Sequence, residues 1–283
     1  MYLHGLFTGT VKIMYVYLVL FAVLSYLVCI KYIYNRQWHA LRSSLKRTFN
    51  VSSERKTVGA DVRALVVTAH PDDECMFFAP TIIRLVELNA SVHLLCLSEG
   101  NYYHQGSQRR EELLRSCAVL GIPASRVTVI NHEKLPDDPK AEWSVSLVSS
   151  AVLRHITDHC INMVLTFDGR GVSGHANHVA IYKAVRHLAS TGELPKECVL
   201  FALETVGLLR KYTSVLDLPF SWFLPSHLRC VVGPKGYKQA KAAMLCHRSQ
   251  LLWFRYLYIT FSRYMFTNTF QLVPQGPKNL KIY

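Results

Sequence analysis

Two features of the sequence predict an α/β protein with a mostly parallel sheet, preceded by one N-terminal transmembrane helix. From residue 63 onward, short apolar runs alternate with amphipathic stretches, which indicates strands and helices in turn. Before this region, an uncharged run from Ile13 to Ile30 lies between Lys12 and Lys31. That run is long enough to cross a bilayer when the flanking lysines extend toward the headgroups.

The α/β region contains five predicted strands and four predicted helices. The strands are residues 64–68, 91–97, 127–130, 161–167 and 198–203. The helices are residues 75–88, 108–120, 143–159 and 178–189. Alternation at this spacing gives parallel strands joined by crossover helices, with helices on both faces. The sequence therefore predicts a Rossmann-like, mostly parallel sheet.

We divide the chain into four parts by composition. They are an N-terminal membrane anchor (1–34), a basic juxtamembrane linker (35–62), the α/β domain (63–230) and a C-terminal basic and aromatic helical region with a tail (231–283). The linker is polar and basic and shows no regular apolar period.

The charge balance predicts a membrane partner and a cytoplasmic domain. The net charge is +13, which suits phospholipid or nucleic acid, but no basic run interleaved with aromatics resembles a nucleic-acid module. We therefore expect membrane lipid as a partner and no nucleic acid. One Lys precedes the span and several Lys and Arg follow it, which places the domain in the cytoplasm. The eight scattered cysteines indicate a reduced protein.

A polar loop follows the first predicted strand. Its sequence is Ala69-His-Pro-Asp-Asp-Glu74, and it lies at the carboxyl end of that strand, where open α/β sheets bind ligands. Pro71 disfavours helix at His70, so the neighbouring side chains can diverge. The alternative interpretation is an Asp-rich N-cap for the helix that follows.

A second loop, Asp168 to His178, follows the fourth predicted strand. It contains a GxGxxG pattern, which is typical of dinucleotide sites, and two histidines at HxxH spacing, which such sites do not need. The histidines also have structural interpretations, in the core or as caps. Both loops lie at the carboxyl edge of the sheet. A His and an Asp from the first with a His from the second would form a His₂-carboxylate site for a catalytic zinc.

The two loops resemble the signatures of the metal-dependent de-N-acetylases related to LmbE. The similarity includes Ala69–Glu74, Ser173–His178, the Gly100–Gly106 loop, Arg109-x-x-Glu112 and Leu120–Ile122. A third region, Cys246–Arg255 with Phe261–Met265, is similar to the members that act on GlcNAc-phosphatidylinositol. From Phe270 onward we find no counterpart.

This resemblance implies roles for individual residues. His70, Asp73 and His178 would bind Zn²⁺ or another divalent metal, one per chain, Asp72 would be the general base, and His175 would stabilise the oxyanion or protonate the leaving amine. The chain would then hydrolyse the N-acetyl group of GlcNAc-phosphatidylinositol at the cytoplasmic face of the endoplasmic reticulum, the second step of GPI-anchor synthesis.

Three further residues are assigned supporting roles. Glu74 would orient a ligand histidine, although an acid in the first turn of a helix needs no such role. Arg109 and Asn101 would contact the substrate, although a lone Arg early in a helix is often a salt-bridged surface residue.

Residues 241–265 predict an amphipathic helix if they form one continuous helix. Lys241, Arg248, Arg255 and Arg263 then fall on one side and aromatic residues on the other. Such a helix either packs on the domain or lies at the membrane surface.

The sequence leaves four functions in competition. They are a membrane-anchored de-N-acetylase of a glycolipid, the same chemistry on a soluble amidosugar, a non-catalytic membrane scaffold and a nucleotide-binding oxidoreductase. The intact His and Asp set favours the first two, and the anchor favours the first. The sequence identifies no obligate protein partner.

Overall fold

The structure is a computed structural model that describes residues 2–49, 61–138 and 140–276, with side chains described from Lys12. A seven-stranded sheet has the order β3-β2-β1-β4-β5-β7-β6. The strands are β1 Arg63–Thr68, β2 Ser91–Cys96, β3 Val127–Val129, β4 Met163–Phe167, β5 Val199–Leu203, β6 Leu228–Val231 and β7 Thr267–Leu272. β1 to β5 are parallel, and β7 pairs antiparallel with β5 and β6. The predicted mostly parallel sheet is confirmed.

Eleven helices surround this sheet within the described residues. They are α1 Tyr2–Thr48, α2 Asp73–Phe77, α3 Ala79–Glu87, α4 Gly106–Leu120, α5 Val145–Asp158, α6 Gly171–Gly174, α7 Ala176–Thr191, α8 Leu208–Lys211, α9 Leu218–Phe223, α10 Pro234–Met244 and α11 Trp253–Phe261. α5 packs on α7, whereas α3, α4 and α10 pack on one another, which gives two helical groups.

The position of the functional loops follows from the strand order. The chain runs outward from β1 to β3 and then returns to the other side of β1 as β4. Because the order reverses between β1 and β4, their carboxyl ends flank the crevice where α/β sheets bind ligands. The two polar loops predicted from the sequence follow these two strands.

The predicted helix over 75–88 is two helices. α2 ends at Phe77 and α3 begins at Ala79, with Pro80 in the first turn of α3. Proline lacks the N–H that would continue the hydrogen bonds of α2, and it is tolerated in a first turn. The break leaves α2 as a single short turn whose first residue is Asp73.

Residues 35–48 of the predicted linker are helical, because α1 continues through Thr48. Ile33, Gln37, Leu41 and Leu45 recur every four residues and are buried, and α1 packs on β6 and α9. Gln37 interrupts the apolar period, so the sequence shows no continuous apolar stripe along this part of α1. Residues 12–28 of α1 are exposed, and within the described part of the chain this is the one helix long and apolar enough to cross a membrane. Residues 50–60 of the predicted linker lie outside the described part.

The prediction of one helix over residues 241–265 is also wrong. α10 ends at Met244, and 3₁₀ turns at residues 248–250 and 263–265 flank α11. Arg263 is fully buried, with its Nε 3.0 Å from Asp217 Oδ2, and Arg255 contacts Asp72. The four cations therefore share no helical face.

The residues from Phe270 onward begin inside the sheet. Phe270 is buried in β7, and Asn268 beside it accepts hydrogen bonds from the backbone and hydroxyl of Thr81 at 3.2 and 2.7 Å. Residues 277–283 of the predicted tail lie outside the described residues.

All eight cysteines are free, as predicted.

Candidate active site

Asp73 fixes the first loop. Its Oδ2 accepts the backbone N–H groups of Ala69 and His70 at 3.0 and 2.9 Å. These bonds fold the chain back at the end of β1, and they leave the other oxygen, Oδ1, 3.2 Å from His178 Nε2. Asp73 thus fixes the loop through one carboxylate oxygen and leaves the other oxygen able to bind a metal.

His178 is fixed by the second loop. Its Nδ1 lies 3.1 Å from the carbonyl oxygen of Gly171, and its ring stacks on Phe167 at 3.9 Å between centroids. Gly171 has φ +57°, and a Cβ there would lie 3.0 Å from His178 Cβ. Gly171 therefore allows the backbone to approach His178 closely, so this glycine of the GxGxxG pattern has a role that needs no nucleotide.

The pairing of Asp73 with His178 fits a shared cation. When Nδ1–H donates to Gly171, Nε2 presents a lone pair to the Asp73 carboxylate, and this buried nitrogen has no hydrogen-bond partner. Burial lowers the pKa of His178, but the Asp73 charge outweighs it and raises the pKa overall. Two facing acceptors in a buried site favour a positive charge between them. A divalent metal would supply it.

His70 and His175 complete the cluster. Ring nitrogens of His70, His175 and His178 lie within 4.8 Å of one another, so these residues form a group able to bind a metal ion. Burial lowers the pKa of His70 to about 4, so it is neutral near pH 7, as a metal ligand must be. His175 is the N-cap of α7 and is only partly buried, which places it on the open side of the cluster.

Asp72 lies beside this cluster and lines the same cavity. It has φ 112°, an uncommon value for a residue other than glycine, and such strain concentrates at functional sites. Its Oδ2 lies 2.9 Å from Arg255 Nη2. Burial raises the pKa of Asp72 to about 6, although the Arg255 charge acts in the opposite direction. A carboxylate with a pKa near 6 suits general-base catalysis near neutral pH.

The prediction that Glu74 orients a ligand histidine is not supported by its contacts. Glu74 is fully buried, with Oε1 2.7 Å from His247 Nε2 and 2.5 Å from Ser116 Oγ. Its Oε2 accepts the backbone N–H of Asp72 at 3.0 Å. The reason is directional: Glu74 lies in α2 and faces α4 and the segment after α10, away from the histidine cluster.

Arg109 lines the crevice, but its guanidinium contacts protein groups. It donates to the carbonyls of Pro71 and Gly100 at 3.0 and 2.8 Å, and to Asp137 and Gln250 at 2.9 and 3.0 Å. These contacts join the first loop to three other segments. Arg109 therefore fixes the wall of the site, which is closer to the salt-bridged alternative than to substrate contact.

Asn101 does not reach the histidine cluster. Its Oδ1 accepts the backbone N–H of Gly106 at 3.0 Å, at the start of α4. It lines a smaller neighbouring cavity of about 300 Å³. Asn101 therefore holds the loop to the start of α4.

Four residues of the site were not predicted. Asp137 Oδ1 lies 3.1 Å from His70 Nε2, and Asn177 Nδ2 lies 3.0 Å from the same nitrogen. Arg255 and His247 come from the C-terminal segment. Asp137 follows β3 at the same sheet edge, so the strand-end rule could have found it, whereas Arg255 and His247 depend on how residues 245–261 pack.

These groups surround a cavity of about 810 Å³. Part of the lining is polar, formed by the histidine cluster with Asp72, Asp73 and Asp137. A second part, which we call the apolar end, is aromatic and aliphatic with one lysine; its residues are Lys211, Tyr212, Phe254, Leu257, Tyr258 and Phe261. The cavity therefore combines a polar catalytic end with an apolar end, which suits an amphiphilic ligand.

Comparison by sequence identifies relatives of this chain. The family model PIG-L, described as GlcNAc-PI de-N-acetylase, matches residues 65–189. N-acetylglucosaminyl-phosphatidylinositol de-N-acetylase from Bos taurus is 52% identical over 211 residues, covering 75% of this chain and 83% of that protein. A probable enzyme of the same name from Schizosaccharomyces pombe is 36% identical, covering 78% and 91%.

A solved structure shows the same fold at low sequence identity. N,N'-diacetylchitobiose deacetylase from Pyrococcus horikoshii has a TM-score of 0.56 at 15% identity, covering 83% of this chain and 92% of that one. The identity with the Bos taurus relative, over most of both chains, establishes the family. This chain belongs to the PIG-L family of de-N-acetylases.

Proposed function

We propose that the chain hydrolyses the N-acetyl group of GlcNAc-phosphatidylinositol to give GlcN-phosphatidylinositol and acetate, the second step of GPI-anchor biosynthesis. The observation that supports this most is the 810 Å³ cavity, which joins the histidine and carboxylate cluster to an apolar end. The named activity of the Bos taurus relative supports the same substrate.

His70, Asp73 and His178 would hold the divalent metal, which we infer to be zinc from the mixed nitrogen and oxygen donors. When bound, the metal would polarise the acetamide carbonyl and make water a better nucleophile. The orphaned Nε2 of His178, facing Asp73 Oδ1 at 3.2 Å, supports this ligand set.

Asp72 and His175 would move the protons. Asp72 takes a proton from the attacking water, and its raised pKa matches that task near neutral pH. His175, on the open side of the cluster, hydrogen-bonds the oxyanion or protonates the sugar amine as the carbon–nitrogen bond breaks. The balance is one water and one amide consumed, one amine and one acetate released.

Lys211 would meet the phosphate of the substrate. It lines the cavity together with Tyr212 and the aromatic residues of α11. In GlcNAc-phosphatidylinositol the phosphate lies between the inositol and the acyl chains, so a cation beside apolar lining residues suits it. Lysine is a suitable point charge for such a group.

The membrane arrangement follows from α1. We propose that residues 13–30 span the endoplasmic reticulum membrane once, with the catalytic domain in the cytoplasm, because most flanking cations follow the span. Asn89, an exposed sequon asparagine, should then carry no glycan. A glycosidase-sensitive mass shift that disappears in Asn89→Gln would contradict this orientation.

The test of the function is acetate release from GlcNAc-phosphatidylinositol by the purified full chain. Activity should disappear with a chelator and return when a divalent metal is added in excess. Release that continues unchanged in metal-free protein would contradict the proposal.

A further inference from the structure

Six large apolar side chains lie exposed on three short elements beside the cavity. We call them the apolar rim: Leu208 and Leu209 on α8, Phe220 and Phe223 on α9, and Leu252 and Trp253 at the start of α11. Leu209 is 86% exposed, Phe223 79% and Trp253 75%. Exposed apolar groups of this size and number mark an interaction surface.

A contact joins α8 to α9, and a shared cavity joins α8 to α11. The Arg210 guanidinium on α8 lies 4.5 Å from the Phe220 ring centroid, and it also pairs with Asp217 at the start of α9. Lys211 at the end of α8 and Tyr212 after it line the same cavity as Phe254 and Leu257 of α11. The apolar rim therefore adjoins the apolar end of the cavity.

The apolar rim is also joined to the predicted membrane span. Ile33 of α1 packs with Leu218 and Val231, and Cys29, Ile30 and Trp222 pack around them. The Tyr26 hydroxyl donates to the carbonyl of Leu216, just before α9. Tyr26 lies five residues before Lys31, inside the uncharged run, which is about 7.5 Å along a helix axis.

This junction sets the depth of the rim. If the uncharged run of α1 fills the hydrocarbon layer, the segment before α9 lies beside the run and not beyond its end. Interfacial elements bury their apolar face about 5–10 Å into the boundary of headgroups and acyl chains. The contact of Tyr26 with Leu216 places the segment that leads into α9 within that range.

The sequence that contains the rim is strongly basic. After Glu204 the chain contains eleven Lys and Arg but one acidic residue, Asp217. Asp217 is buried and paired with Arg210 and Arg263. Most of the protein's basic excess is thus in the part of the sequence that includes the rim, and each cation that lies near an anionic membrane adds to binding.

We propose that the apolar rim inserts into the interfacial layer of the bilayer that α1 crosses, so that the apolar end of the cavity opens onto the lipid. The occupant of this surface is the bilayer itself. The proposal rests on the function proposed above, since a lipid-linked substrate could then enter the cavity while its acyl chains remain in the membrane.

Trp253 reports on insertion directly. The full chain would be placed in nanodiscs with lipids brominated near the headgroup end of the acyl chains, because bromine quenches tryptophan at short range. Wild-type protein should lose more fluorescence than Trp253→Phe, and quenching should weaken when the bromines are moved toward the chain ends. Equal quenching of wild type and Trp253→Phe would overturn the proposal. This is also the result expected if a second copy of the chain, and not the bilayer, covers Trp253.

Activity on two substrates separates docking from catalysis. The double variant Leu209→Ser, Phe223→Ser should lower acetate release from bilayer GlcNAc-phosphatidylinositol at least about fivefold. Its rate on the water-soluble headgroup without acyl chains should stay within twofold of wild type. Leu245→Ser is the matched control, because Leu245 is 36% exposed at the end of α10, which packs on α3 and α4.

The outcomes are distinguishable from failure of the function itself. Equal rates of the double variant and wild type on the bilayer substrate would overturn docking. If wild type releases no acetate from either substrate, the proposed function fails, and bromine quenching of Trp253 still decides whether the rim lies in the bilayer.

Discussion

Two regions form walls of the cavity, and they differ in how their polar groups are satisfied. The strand-end loops, residues 69–74 and 168–178, leave potential metal ligands without hydrogen-bond partners, as at the buried Nε2 of His178. The C-terminal wall, residues 245–261, pairs its charged groups with those loops: Arg255 with Asp72, and His247 with Glu74. The first region is thus incomplete without a cation, whereas the second stabilises the charges of the first.

The two regions also differ in how far apart in the sequence their interacting residues lie. The donors of the loops occur within a few residues of two strand ends, so the strand pattern brings them together. The partners in the C-terminal wall lie more than 170 residues from Asp72 and Glu74 along the chain. We expect changes in the loops to remove metal and catalysis, and changes in the wall to alter stability and the pH range of activity.

The largest effect is expected for His178→Ala. Removing this ligand should abolish stoichiometric metal binding and reduce kcat/KM on the order of 10³-fold, since the metal supplies several kcal/mol of transition-state stabilisation. Metal content by mass spectrometry and acetate release measure the two quantities. His187→Ala, at an exposed position of the same helix, is the control. Full metal occupancy in His178→Ala would show that the loops are not the metal site.

His247→Ala tests the wall as a structural element. The change leaves the fully buried Glu74 carboxylate without its cationic partner, which costs about 3–5 kcal/mol for a buried pair. Denaturant unfolding of the full chain measures the loss, and His187→Ala again gives the reference. A loss below 1 kcal/mol would mean that Glu74 needs no such partner.

Arg255→Met should move the pH profile. Burial raises the pKa of Asp72 to about 6 while Arg255 acts to lower it, so removing Arg255 raises the pKa further. The base form then needs a higher pH, and the acid limb of kcat/KM shifts upward, with activity about tenfold lower at pH 6 and recovering in alkali. Arg248→Met, at an exposed position, should leave the profile unchanged. An unshifted profile in Arg255→Met would remove Arg255 from the account.

The smallest effect is expected for Asn101→Ala. Loss of the hydrogen bond to the Gly106 N–H should cost about 1 kcal/mol of stability, typical of a cap, with kcat and KM within twofold of wild type. A tenfold rise in KM would instead restore Asn101 as a substrate contact.

The sequence predicted the regular part of the molecule and failed where burial depends on polar partners. β1 to β5 are apolar runs, and their crossovers bring the two loops together. β7 was missed because Thr267, Asn268 and Thr269 are polar, yet they are buried through specific hydrogen bonds. The extension of α1 was missed because Gln37 interrupts its buried stripe.

For the site, the sequence predicted the central residues but not all of their contacts. His70, Asp72, Asp73, His175 and His178 lie together, as the two loops require, and all five line the cavity. Glu74, Arg109 and Asn101 lie nearby in sequence but have structural partners, because neighbouring residues of a short helix or loop point in different directions. No local pattern could have identified Arg255, which reaches Asp72 only after α11 has packed.

The central claim is that the loops divide their work between adjacent aspartates, with Asp73 on the metal and Asp72 on the proton. Asp72→Asn in the full chain tests this directly, by metal content and by acetate release from GlcNAc-phosphatidylinositol in the same preparation. The amide keeps the shape of the side chain but accepts no proton at neutral pH. We expect one metal per chain and a loss of kcat of about 10²-fold or more. Near-normal turnover in the metal-replete variant, or loss of the metal itself, would contradict the division.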